Sequence, residues 1–357
     1  MRLEIAGMVD PHVHLRDLDW SAKATFESET AAALAGGYWA VLDMPNTPPA
    51  TVSSERLASK AERLAVAARC DFGLYLGADG EATADRYRAA APGAVGLKVY
   101  CDATTGELLI SDQPRRRAHL LAWARVTRRP VAVHAEGASL EAVLALVREL
   151  RVRVHFCHVS ERREIDALRL AKGDGLPVSV GVTPHHLTLT ADDAARLGGY
   201  GLVRPALKEP SDVDALWAGV ADGTVDVVES DHAPHTRAEK ESADPPFGLP
   251  GLETTLPILG LAMHEGRLDS ERLVELVAYN PQRIFGLRVP PETSTRVDLG
   301  SSWVVSDEKL LTAPGWSPFH GLRVWGRVAE VRIRGRVAWD GERVLAAPGD
   351  GRDVARC

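Results

Sequence analysis

Eight short apolar, β-branched runs recur along the first two thirds of the chain with longer helix-patterned segments between them, and this alternation restricts the fold more than any other feature. In order the runs are MVDPHVHL, YWAVLDMP, DFGLYLGA, VGLKVYC, PVAVHAE, VRVHFCHVS, PVSVGVTPHH and VDVVESDHAP. The segments between them include Ser21–Ala35, Ser53–Arg69, Pro114–Arg128, Leu140–Glu149 and Arg162–Lys172, each rich in Ala, Leu, Arg and Glu at helical spacing. Repeated strand then helix, with strands apolar on both faces, predicts a parallel sheet covered by helices. Eight such units, with no GxGxxG turn after the first strand, favour a (β/α)8 TIM barrel over an open doubly wound sheet. Helices after Gly251 and Asp269 complete the outer ring.

Beyond about Pro290 the texture changes, and VDLGSSWVV and RVWGRVAEVRIRGRVAWDGERVL read as short strands joined by turns, Asp340-Gly341 among them. The chain therefore divides into a barrel over residues 8–290 and a small β appendage, formed by residues 291–357 with the opening residues 1–7 paired to it. At 357 residues the chain can bury a core without disulfide or metal staples. A net charge of −7 argues against a surface for nucleic acid or an anionic membrane, so a small anionic substrate needs a local positive site. Cys70, Cys101, Cys157 and Cys357 lie far apart with no CxxC pair, the pattern of reduced intracellular thiols. The charged, proline-containing N-terminus is not a signal peptide, and no apolar run is long enough for a membrane span; a cytoplasmic protein is expected.

A barrel gathers function at the C-terminal ends of its strands, and here those ends are polar. The first run carries His12 and His14, the second is followed by Asn46, the fourth holds Lys98, the fifth reaches His134, the sixth His158 and the eighth Asp231. His12 and His14, two apart on a strand, project to one face, and Arg16 continues that parity over the rim. A single HxH pair is weak evidence, since most histidines are satisfied by packing. Four imidazoles and a carboxylate converging from different strands point to a metal, because each buried polar group left unpartnered costs on the order of 1 to 3 kcal/mol. Nitrogen and carboxylate donors without thiolate suit zinc, with manganese, cobalt and iron left open.

Only seven of the 42 basic residues are lysines, so a buried one stands out. Lys98 lies in GLKVY, where burial beside dications favours its neutral amine. Such an amine can add carbon dioxide, and the resulting carbamate is a two-oxygen anion able to bridge two metals. The alternative is a lysine reaching the rim with no special role. His134 and the HxH pair, facing Lys98, favour the carbamate. His119, His155, His264 and His320 are assigned packing roles, and His185 and His186 are read as hydrogen-bonding neighbours of the ligands. Cys157 and His158 are not read as a nucleophile pair, because adjacent residues of a strand point to opposite faces.

Together DPHVHLRD, AAALAGG, DMPNTPP, GLKVY, HAE, CHVS, TPHHL, RPALK, DVDALW, SDHAPHT, PGLETTLP, NPQRIFGL and PFHG resemble the amidohydrolase superfamily, in particular its cyclic-amidohydrolase branch of dihydroorotases, allantoinases and dihydropyrimidinases. The resemblance spans nearly the whole chain and is strongest to dihydroorotases of the kind found as the middle domain of the animal multifunctional pyrimidine enzyme. It implies two zinc ions, one held by His12, His14, carboxylated Lys98 and Asp231, the other by Lys98, His134 and His158. It implies that Arg16 and Asn46 grip a substrate carboxylate with Arg204 and His235 assisting, Arg16 pairing in bidentate fashion. It places Thr104 and Thr105 in a loop, Cys101–Ser111, that covers the substrate. The pattern departs from the family where Arg16 is followed by Asp17-Leu18-Asp19, where Ala206 follows Arg204-Pro205, and at Gly181, an acidic position in the animal enzymes, which puts any third metal in doubt.

The implied reaction is reversible closure of N-carbamoyl-L-aspartate to L-dihydroorotate and water. A bridging hydroxide attacks the ring amide in the hydrolytic direction, and Asp231 carries its proton to the departing nitrogen. The competing expectations are an allantoinase or a hydantoinase/dihydropyrimidinase-type hydrolase, and a catalytically inactive scaffold for aspartate transcarbamoylase. A homo-oligomer and association with such a transcarbamoylase are both left open.

Overall fold

In the computed structural model, which describes residues 1–356, the chain opens with β1 (Arg2–Ile5) and then winds through eight parallel strands. These are β2 (Met8–Val13), β3 (Tyr38–Asp43), β4 (Asp71–Gly77), β5 (Gly96–Tyr100), β6 (Val131–His134), β7 (Val154–Phe156), β8 (Val178–Val182) and β9 (Val227–Val228), each paired with the next. Between β9 and β2 the ring is drawn together by a parallel Val13–His232 bridge, with the His14 N–H donating to the His232 carbonyl at 2.7 Å. Every residue of β2 to β6 is buried, which is why these runs lack polar alternation. The architecture is the expected (β/α)8 barrel, with helices between the strands.

Two helices start or stop short of their sequence pattern for identifiable reasons. The helix expected over Ser21–Ala35 begins at Phe26, where Thr25 caps it and the Asp17 carboxylate accepts the Phe26 N–H at 2.9 Å. Residues 18–24 are left as turns, which bring Lys23 to the barrel rim. The helix Gln113–Ala124 ends before Arg128, where the Val126 and Thr127 N–H groups both turn back to Trp123 O, at 3.0 and 3.1 Å.

The opening strand pairs with the C-terminal segment in an antiparallel sheet of order β1, β10 (Ser294–Val304), β11 (Arg323–Ile333) and β12 (Arg336–Trp339). The turn after β12 uses Gly341 at φ 96°, a left-handed conformation that suits glycine. Two further connections tie the sheet to the barrel. The tail returns beneath the barrel, where the Phe72 N–H donates to Arg352 O at 2.9 Å and Arg334 grips Asp71 through both terminal nitrogens, at 2.7 and 2.9 Å. The segment between β10 and β11 crosses to the catalytic end, where Trp316 Nε1 donates to His235 O at 2.7 Å. Among the described residues no helix is long and apolar enough to cross a membrane. Cys70, Cys101 and Cys157 are buried and unpaired, and Cys357 lies outside the described residues.

Candidate active site

At the C-terminal ends of the strands the chain leaves regular β geometry at the residues that carry chemistry. Arg16, His158 and Asp231 have φ of 62°, 38° and 46°. A left-handed non-glycine residue costs on the order of 1 to 3 kcal/mol, which the surrounding hydrogen bonds must offset. The conformation at His158 has a direct consequence. β7 ends at Phe156, so strict alternation no longer governs Cys157 and His158, and both side chains enter the barrel. The expectation that they face apart is thus corrected. Cys157 is still no nucleophile, since burial pushes its thiol up to about 12.

Ten of the twelve predicted residues meet at one cleft, lined by His12, His14, Arg16, Asn46, Thr104, Thr105, His134, His158, Arg204 and Asp231. Tyr100, Ala233, Phe247 and Gly248 complete its wall. Lys98 and His235 do not line it. Lys98 is fully buried, with its Nζ donating to Cys157 Sγ at 3.3 Å and 5.1 Å from the centre of the Tyr100 ring. His235 stands behind Arg16.

The imidazoles form a cluster. His12 and His14 each place Nε2 at 3.3 Å from Asp231 Oδ1, His134 Nδ1 lies 3.1 Å from His158 Nε2, and the His12 and His158 rings are 5.1 Å apart. Burial lowers the proton affinity of His12 and His158 and takes His14 down to about 4, so these rings are neutral at pH 7, as ligation requires. The Asn46 amide oxygen, 2.7 Å from His14 Nδ1, fixes the tautomer that turns the His14 Nε2 lone pair toward Asp231.

Donor chemistry and an orphaned atom together test whether a metal fits. His158 Nδ1 is buried without a hydrogen-bond partner, and ligand atoms of His12, His158 and Asp231 all lie within 4.8 Å of one another. Facing, neutral, nitrogen-rich donors beside a carboxylate fit a divalent cation.

The anchor side is built around Arg16. Its Nε donates to Pro234 O at 3.1 Å, and Nη1 is buried without a partner. His235 Nδ1 accepts from Lys23 Nζ at 3.1 Å, which leaves its Nε2–H to donate to Phe247 O at 3.0 Å. Arg16 Nη2 lies 3.1 Å from that same Nε2, so its protons remain available to a ligand. Arg204 packs 4.3 Å from the centre of the Phe247 ring at the mouth. The loop bearing Thr104 and Thr105 is tethered there by Asn46 Nδ2, which donates to Thr105 O at 2.8 Å. His186 supports the Arg204 segment by donating from Nε2 to Pro205 O at 3.0 Å.

Sequence reasoning missed three groups. His155, assigned to packing, contacts Glu229 at 3.2 Å inside the barrel. Glu229 itself carried a readable signal, since it sits two before Asp231 and shares its strand face. Glu29 had none: it reaches His232 Nε2 at 2.7 Å and accepts from Thr312 and Ala313 across more than half the sequence.

A profile of the amidohydrolase family matches residues 4–289. The chain belongs to the amidohydrolase family. It is 40% identical over 99% of its length to "Multifunctional protein pyr1-3" of Dictyostelium discoideum, of which it spans only 16%. It is 33% identical to the dihydroorotase of Halobacterium salinarum, with 98% of this chain and 89% of that protein covered. Its fold superposes on the L-hydantoinase (dihydropyrimidinase) from Arthrobacter aurescens with a TM-score of 0.92 at 25% identity, covering 99% of this chain and 89% of that one. The chain thus shares family and fold with a dihydroorotase and with a hydantoinase.

Proposed function

We propose that the protein is a dihydroorotase, interconverting N-carbamoyl-L-aspartate and L-dihydroorotate. One observation carries this choice within the cyclic amidohydrolases: a buried guanidinium, Arg16, with Nη1 unpartnered, beside the imidazole cluster in the same cleft. A substrate carboxylate is its natural counterpart, and dihydroorotate carries one where hydantoin and dihydrouracil do not.

His12, His14, Asp231 and Lys98 would hold one zinc, and His134, His158 and Lys98 the other. Lys98 would serve as a carbamate, formed when its amine adds carbon dioxide and loses a proton. Among the described residues three lysines are buried, and two have ordinary partners: Lys60 pairs with Asp43, and Lys240 donates to three carbonyls. Lys98 has a thiol, and among the described residues no carboxylate lies within ion-pair distance of it. That poverty of partners suits an amine that is chemically converted. When bound, the ions supply Lewis acidity toward the amide carbonyl and make water acidic enough to attack at neutral pH. The chain's own groups do the rest. Arg16 and Arg204 draw the carboxylate to the anchor side, the loop at Thr105 limits access of bulk water, and ionised Asp231 takes the proton from water and passes it to the ring nitrogen. Closure consumes one proton, so acid favours dihydroorotate and alkali favours its hydrolysis.

The structural likeness to a hydantoinase supports a second reading, hydrolysis of a neutral cyclic amide. Turnover of L-dihydroorotate, allantoin, hydantoin and dihydrouracil by one preparation decides between them, and a preference for any of the last three overturns the proposal. The kinship to a multifunctional protein supports association with an aspartate transcarbamoylase, which co-purification of the two chains tests.

A further inference from the structure

Below the imidazole cluster the barrel interior holds a second polar layer that the proposed reaction does not use. Its centre is Glu229, fully buried. Oε1 accepts the His158 backbone N–H at 2.7 Å and stands 3.5 Å from His12 Nδ1, while Oε2 lies 3.2 Å from His155 Nε2. His155 is held in turn by Ser179 Oγ at 3.0 Å. The carboxylate fits because Gly181 on β8 has no side chain: a Cβ there would lie 2.5 Å from Glu229 Oε1 and 3.0 Å from His155 Nε2.

We propose that Glu229 is a positioning residue for the metal centre: one carboxylate, entering the space that Gly181 leaves open, holds a ligand of each metal, His12 through its outer ring nitrogen and His158 through its backbone. The inference rests on reading His12 and His158 as ligands. Its physical basis is twofold. A carboxylate behind a ligating imidazole orients the ring and makes it a better donor. An N–H anchored at 2.7 Å also offsets the strain of the left-handed conformation that turns His158 into the site.

His12, Cys157 and Glu229 also place ligand atoms within 4.8 Å of one another, a geometry that could hold a metal of its own. The existing bonds favour the positioning role. Both Glu229 oxygens already take protein donors.

The test uses full-length protein stripped of metal and titrated with zinc against a chromophoric chelator. Glu229→Gln keeps the shape and an acceptor for His158 but removes the charge behind His12. Gly181→Ala keeps the charge but crowds it out of place. Each is expected to weaken zinc binding by about 10- to 100-fold, and the isosteric Glu229→Gln to do so with the melting temperature of the metal-free protein unchanged. A role in packing alone would do the reverse, lowering the metal-free melting temperature and sparing zinc affinity, and that result overturns the proposal. A third zinc per chain that disappears in Glu229→Gln also overturns it, because Glu229 would then be a ligand. Should one variant not fold, the other carries the test. Zinc affinity is read without substrate, so tight binding with no dihydroorotate turnover refutes the substrate assignment and leaves this inference standing. Wild-type protein that binds no zinc overturns both.

Discussion

Replacing Arg16 with glutamine separates the role of the anchor from that of the metal centre. The guanidinium is 1% exposed and burial lowers its pKa to about 10, so it remains charged at pH 7. Nη1 has no partner and Nη2 faces a His235 nitrogen whose proton is already donated, so the terminal nitrogens are poised for a two-point contact. Truncating one member of a buried charge pair costs about 2 to 5 kcal/mol, and glutamine retains one donor, so the lower part of that range, about 2 to 4 kcal/mol, applies. At 1.36 kcal/mol per decade this is a loss of about 30- to 900-fold in kcat/KM for L-dihydroorotate. The comparison that gives the number meaning is dihydrouracil, the same ring without its carboxylate, for which the loss should stay within about threefold. Initial rates on both substrates, with zinc content measured in each preparation, complete the assay. Equal losses on the two rings would refute the carboxylate-anchor reasoning, because Arg16 would then support the site as a whole.

Three other outcomes are expected. Lys98→Ala should lower turnover by at least about 100-fold and zinc content with it, and acetate or propionate should restore part of both by replacing the carbamate; full activity in the unrescued variant would exclude the bridging role. Lys240 is buried with its ammonium on Leu202, Pro246 and Gly248 carbonyls, so Lys240→Met should cost about 2 to 4 kcal/mol in denaturant unfolding and raise KM by loosening the Phe247–Gly248 wall. Burial pushes the thiols of Cys101 and Cys157 up to about 12, and that of Cys70 up as well. At pH 8 these three are protonated, so a thiol reagent should label them at least about 1000-fold more slowly in the native protein than after denaturation; rapid native labelling of Cys157 would contradict the burial argument.

The barrel was legible in the sequence because its cause is local and repetitive. Strands buried on both faces must be apolar throughout, helices between them must be amphipathic, and both patterns survive in a linear string from Met8 to Val228. Which residues reach the rim was legible for the same reason, since a barrel delivers the ends of its strands there: His12, His14, His134, His158 and Asp231 line the cleft, with Lys98 within β5 beneath them. Helix boundaries were less so: Phe26 begins its helix because Asp17, from the preceding turn, accepts its N–H.

What the linear pattern could not carry is anything set by backbone departure from regular geometry or by partners far apart in sequence. Alternation placed Cys157 and His158 on opposite faces, and the left-handed turn at His158 brought both inward. Glu29 finds His232 and Thr312, Glu229 fills the room before Gly181, and His235 is proton-locked by Lys23 and Phe247. Composition and periodicity thus determined which groups arrive at the rim. The closed barrel alone decided which of them touch, because a hydrogen bond depends on ångströms across the ring and not on distance along the chain.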